Sequence, residues 1–123
     1  MDNPPIVNFF PTGEKESECE TLSGVPHGIQ RRFFKNGQIF FECFYLHGVL
    51  NGLLREWDES GQLKVSASTI NGQYDGAYQS WWPDGQIKEQ GVFRADQRVP
   101  GYTWFRSDGS VWRVLGDGTG PQA

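Results

Sequence analysis

Cys19, His27, Cys43 and His47 offer the thiolate and imidazole ligands from which a zinc site could be built. Their spacing contains no tight Cys-x2-Cys or His-x3-His clip, so the sequence predicts no metal and no other cofactor. Both histidines precede a glycine, and His27 shares its repeat position with Asn51 and Asp75, which reads as turn chemistry. Ser66, Ser68 and Ser80 are hydroxyls without a setting: no Gly-x-Ser-x-Gly elbow is present, and no glycine-rich loop leads from a strand into a helix. Asp58 and Glu59 fall in a turn, where solvated charge is the ordinary reason for two carboxylates. These residues give no support to catalysis, and the chain is expected not to be an enzyme.

Two other groups point to binding. Glu14, Glu16, Glu18 and Glu20 alternate along one stretch, so that on a single strand all four carboxylates would lie on one face and attract a basic partner. The structural reading of the same row is a charged edge that discourages sheet-to-sheet aggregation. Large aromatics form the second group. Phe34, Trp82 and Trp104 stand at positions that are polar in neighbouring units, which predicts an exposed patch, extended by Tyr78 and Tyr102 and bordered by Arg32 and Arg106. The competing expectation is that the sheet packs these rings itself through its own twist.

The elements that must carry these residues follow from a repeat. Gly13, Gly37, Gly61, Gly85 and Gly109 are spaced by 24, and four of the five follow Asn, Ser or Asp. Such dipeptides signal hairpin turns, since the turn needs a positive φ that Gly accepts and Asn or Asp tolerates. Gly24, Gly48 and Gly72, with Asp96 in the fourth place, keep the same frame, as do Gly28, Gly52 and Gly76 ahead of Pro100-Gly101. Each unit thus has two turns and two strands. Phe9, Phe33, Trp57, Trp81 and Phe105 form an aromatic column expected in the core, and Cys43, Ala67 and Gly91 a small-residue column expected where packing is closest.

In register, the units from Gly28 to Gly48, Gly52 to Gly72 and Gly76 to Gly91 resemble the MORN-repeat variant of bacterial proteins. The resemblance implies an all-β, single-layer twisted antiparallel meander of tandem hairpins. One domain over residues 1–115 is expected, with a degenerate first unit at 5–23, regular units over 24–95, an atypical last unit at 96–115 and a flexible tail at 116–123. Short proteins similar to this one are read as antitoxins or immunity proteins, so the resemblance implies a non-catalytic module that neutralises a cognate toxin by direct contact. The alternative it implies is a membrane- or lipid-associated scaffold.

Composition narrows these classes. A chain of 123 residues with 37% hydrophobic residues suits one domain, and sixteen Gly with nine Phe, five Trp and four Tyr suit short strands and tight turns. The net charge is −4, and residues 1–24 carry the whole excess. An acidic chain argues against nucleic acid, and the absence of a basic cluster argues against an anionic bilayer. The first residues show neither a basic nor an apolar leader pattern, so a cytoplasmic location is expected.

Overall fold

A computed structural model describes residues 3–116. Ten strands follow one another across one open antiparallel sheet: β1 (Ile6–Phe9), β2 (Lys15–Leu22), β3 (Val25–Phe33), β4 (Ile39–Leu46), β6 (Gly52–Trp57), β7 (Leu63–Ile70), β8 (Gln73–Trp81), β9 (Ile87–Arg94), β11 (Thr103–Phe105) and β12 (Val111–Val114). Two short segments, β5 (Val49–Leu50) and β10 (Gln97–Arg98), pair with the far ends of β4 and β9. The fold is the all-β hairpin meander expected from the repeat. Of the expected tail, residues 117–123 lie outside the described residues.

Two kinds of turn alternate along the chain. On one side of the sheet, Phe10, Phe34, Asp58, Trp82 and Arg106 each donate their amide to the carbonyl four residues on and accept from the glycine amide three residues on. This is a type I turn closed by a glycine in the left-handed region. Only that glycine has a positive φ; Asn36, Asp84 and Asp108 do not, which corrects the expectation that they tolerate it. Their Oδ1 atoms instead accept the amide two residues on, at 2.8, 3.0 and 2.8 Å. On the opposite side, Ser23-Gly24, His47-Gly48, Asn71-Gly72 and Ala95-Asp96 have positive φ at both residues, the two-residue type I′ geometry whose twist matches the strands.

Between these turns each unit kinks. Cys19 faces Gln30 and Thr21 faces Pro26, so three residues, 27–29, oppose Glu20 alone; Ala67 with Tyr78 and Thr69 with Tyr74 repeat the pattern around Ser68. At the kinks Gly28 and Gly76 have positive φ, and a Cβ at Gly76 would sit 3.0 Å from that of Ser68. The kinked end of each unit is tied to the next turn by Gly48 N to Pro26 O, Gly72 N to Leu50 O and Asp96 N to Tyr74 O, at 2.7 to 2.9 Å. His27 takes part through its ring, whose Nδ1 accepts the His47 amide at 2.9 Å; its own φ is not positive, so the turn residue of the pair is His47.

The sheet buries one face. Cross-strand pairing sets Cys19, Gln30 and Cys43 in one row and Leu54, Ala67, Tyr78 and Gly91 in another, and the register of Glu42 against Arg55 makes the two continuous across seven strands. Cys19, Cys43, Leu54 and Ala67 are buried there, as are Thr69, Ser80 and Phe93 on the same face. Small residues in this row stand opposite larger ones. The limit is Gly91, where a Cβ would lie 2.3 Å from the Tyr102 ring. The opposite face has no covering layer among the described residues. Phe9, Phe33, Trp57, Trp81 and Phe105 lie on it and none is buried; Phe9 is 60% exposed. The all-aromatic column is therefore a half-exposed stripe and not the core. With one layer, the enclosed apolar side chains come from one set of alternating residues, and among the described residues the opposite face buries only Glu42, held between Arg31 and Arg55.

Candidate functional site

The expected patch of Phe34, Tyr78, Tyr102, Trp82 and Trp104 is divided by the fold into three places. Tyr78, Tyr102 and Trp104 lie on the buried face in a cluster with Tyr74 and Phe93, with ring centroids 4.8 to 6.2 Å apart. Tyr102 is 1% exposed, contrary to the expectation that it extends an open surface. Gly91 leaves the space for its ring, and its hydroxyl donates to Glu89 at 2.9 Å. Burial, then the Glu89 contact, raises the Tyr102 phenol well above the ordinary range. Burial also pushes the Tyr78 phenol up to about 12. Arg98 covers the cluster, its guanidinium 4.9 to 5.4 Å from the rings of Phe93, Tyr102 and Trp104. Arg113 stacks 5.2 Å from Trp104. Arg32, exposed on this face, lies 5.8 Å from the Phe41 ring.

Phe34 and Trp82 occupy equivalent turns on one side of the sheet. These turns are four strand spacings apart, about 19 Å. The Phe34 turn borders an open, largely apolar groove of about 530 Å³ lined by Phe10, Phe33, Phe34, Lys35, Phe40 and Glu59. Phe34 and Phe40 stack with centroids 4.9 Å apart. The Trp82 turn borders a second groove of about 450 Å³ lined by Trp82, Phe105, Arg106, Ser107 and Trp112. Lys88 sits 4.8 Å from the Trp82 ring, whose buried indole N–H has no hydrogen-bond partner among the described residues. Asp58, at the equivalent turn between the two grooves, is occupied by the amides of Ser60 and Gln62.

Trp112 is a candidate functional residue that the polar columns of the sequence do not mark, yet at 58% exposure it is the most open tryptophan of the second groove and stands beside exposed Val111. The signal that could have found it is its own column, which reads Phe40, Lys64, Lys88 and Trp112: the partner column of the turn residues, six positions on.

The acidic row is not a strand of four free carboxylates: only Glu16, Glu18 and Glu20 lie in β2. Glu14 precedes β2 and accepts from the Thr12 hydroxyl, which holds its carboxyl below the usual range. Glu20 sits in the kink and accepts the Ile29 amide at 2.6 Å. Glu16 is exposed. Glu18 begins a ladder across four strands: Arg31 lies 3.5 Å from Glu18 and 2.8 Å from Glu42, and Arg55 lies 2.6 Å from Glu42. Burial works to raise the Glu42 carboxyl, but hydrogen bonds from Arg55 and Arg31 outweigh it and hold the group below its ordinary value. The Lys15 hydrogen bond does the same for Glu18. The ladder ties strands together, and the exposed carboxylates of the row are Glu16 and Glu20, the latter with one oxygen on the Ile29 amide.

No constellation for covalent chemistry is assembled among the described residues. Ser80 is buried, with its hydroxyl 3.2 Å from a Glu89 carboxylate oxygen. Burial pushes the Cys43 thiol up to about 11 and also raises Cys19. No cluster of three or more His, Cys, Asp or Glu in reach of one metal ion occurs among the described residues, and no helix there is long and apolar enough to cross a membrane. What remains is an open sheet with aromatic and basic groups held at fixed turns, suited to contact with another molecule.

Comparison with known proteins agrees with this architecture. No curated protein matches the chain. A family model, the MORN repeat variant, matches residues 26–47, 50–71 and 74–95. Each matched stretch runs from one kink to the type I′ turn of the same unit, and together they cover more than half of the chain. The chain belongs to the MORN repeat variant family.

Proposed function

We propose that this chain is a protein-binding module that acts as an antitoxin or immunity protein, with the groove of Trp82, Phe105, Arg106 and Trp112 as its principal contact. Repeats of this family generally serve as binding modules for proteins or membranes and not as catalysts. The observation that carries the reading is Trp112, a tryptophan more than half exposed beside Val111, Trp82 and Arg106. Tryptophan and arginine are the residue types that most often dominate binding energy. Here short hairpins hold them, so little conformational freedom is lost when a partner arrives. The mechanism is occlusion: the aromatic groove covers the toxin's functional surface. Exposed Glu16 at the acidic end speeds encounter with a basic partner.

The test is to capture the partner from the source organism's lysate with tagged wild-type protein, purify it, and express it alone and with this chain. Growth arrest by the partner alone, relieved by co-expression, is the expected result. Trp112→Ala and Trp82→Ala should each weaken binding by about 2 kcal/mol or more, roughly thirtyfold in Kd, without loss of fold. A captured partner that is harmless when expressed alone overturns the antitoxin reading. Flotation of the chain with anionic vesicles, with no protein captured, would replace the protein partner by a bilayer.

A further inference from the structure

The joint between successive units is made four times in this sheet, in one register. Ser17 faces Arg32 and Glu18 faces Arg31; Phe41 faces Glu56 and Glu42 faces Arg55. Val65 faces Ser80 and Ser66 faces Gln79; Glu89 faces Trp104 and Gln90 faces Thr103. Advancing that register by one more period of 24 sets Arg113 against position 8, Val114 against position 7 and Leu115 against position 6 of a following first unit. The outer strands of the described sheet, β12 and β1, carry those residues.

The side chains fit such a joint. Along the row that holds the charge ladder, the members are Val7, Glu18, Arg31, Glu42, Arg55, Ser66, Gln79, Gln90, Thr103 and Val114. Every inner member is charged or polar, and the two outer members are valine. Outer strands ordinarily carry charge to prevent pairing, so apolar outer members in a polar row run against that need. The buried row behaves alike. It begins with Ile6, paired to Cys19, and its next position beyond Tyr102 is Leu115, which exchanges amide hydrogen bonds with Gly101 and Tyr102. Ile6 is 49% exposed and Val114 is 38% exposed. β1 carries no charge at all, and β12 carries only Arg113, which would face Asn8.

We infer that this chain associates head to tail with a second copy of itself, β12 of one copy pairing antiparallel with β1 of the next, in the register Arg113 to Asn8, Val114 to Val7 and Leu115 to Ile6. The contact repeats the internal joint and buries the two valines and the two core-row residues together. It is heterologous, so assembly grows with concentration and does not stop at a dimer unless the sheet's twist closes a ring. The inference is independent of the toxin reading.

Two single-cysteine additions to the full chain, N8C and R113C, test it. Facing residues of an antiparallel pair have Cα atoms about 4.5 to 5.5 Å apart, within disulfide reach. Mild oxidation of an equimolar mixture should yield a covalent heterodimer, whereas neither variant alone should cross-link. A homodimer from either variant alone overturns the inference, because like edges would then be meeting. Absence of a cross-link in the mixture also overturns it, whether the chain is monomeric or assembles elsewhere. Sedimentation of the unmodified protein guards against a folding defect in the variants. Its weight-average mass should rise with concentration, and Val114→Lys should lower the association constant at least tenfold. A mass that stays monomeric across the range, or an association unchanged in Val114→Lys, would likewise overturn it.

Discussion

At the scale of single residues, the strongest constraints are where a side chain is missing and where a charge is enclosed. Gly91 gives its space to Tyr102, and a Cβ there would stand 2.3 Å from a ring carbon and 2.9 Å from the Tyr102 Cα, so the backbone itself is in the way. Gly91→Ala should destabilise the fold by about 3 kcal/mol in equilibrium urea unfolding. Gly61→Ala meets nothing within 4 Å and suffers only its positive φ, so about 1 to 2 kcal/mol is expected by the same measurement. Glu42 gives a prediction in pH. Its folded value lies below the ordinary 4.5, so its contribution is fully present above that pH and is lost as the pH falls through the folded value. Thermal melts of the wild type should therefore weaken below about pH 4.5, a slope that Glu42→Gln flattens. The substitution itself should cost about 1 to 2 kcal/mol at pH 7, kept small because solvent reaches both guanidinium groups.

At the scale of elements, the two turn types set different demands on sequence. In the turns at 34–37, 58–61, 82–85 and 106–109 one glycine supplies the left-handed residue, and a preceding Asn, Asp or Ser serves by hydrogen bonding. The type I′ turns need two left-handed residues, and Ala95 fills such a place at φ 48°. Alanine pays a steric cost there that asparagine relieves. Ala95→Asn should raise stability by about 0.5 kcal/mol, read as an increase in Tm with the fold unchanged. The kinks are the less visible element. Gly28, Gly52 and Gly76 showed in the sequence as a column, but the three-against-one pairing that they permit needs the partner strand to be known.

At the scale of the whole molecule, a single sheet with nearest-neighbour joints has no central core to unfold at once. Protection against amide exchange should be greatest from β4 to β9 and fall toward β1 and β12, which each pair on one side only. Hydrogen exchange read by mass spectrometry checks this, and a uniform profile would show a cooperative unit that the pairing does not suggest. At high protein concentration, protection of β1 and β12 should increase if copies join through those strands.

The repeat, the fold class and the turn positions were legible in the sequence because each rests on local chemistry: a glycine at φ above zero, an Asx side chain closing a turn, alternation along a strand. The burial of small Cys43 and Ala67 was legible for the same reason, since a column of small residues marks close approach. Which face is enclosed was not. A column aromatic in every unit reads as core, yet it lies on the uncovered face, because enclosure depends on which set of alternating residues the neighbouring strands bring together. Tyr102 reads as surface in the sequence, since nothing local shows that Gly91 makes room for it one strand away. The grouping of Trp82 with Trp112, the separation of both from Phe34, and the diversion of Glu18 into an ion-pair ladder all arise from cross-strand register, which is a property of the assembled sheet.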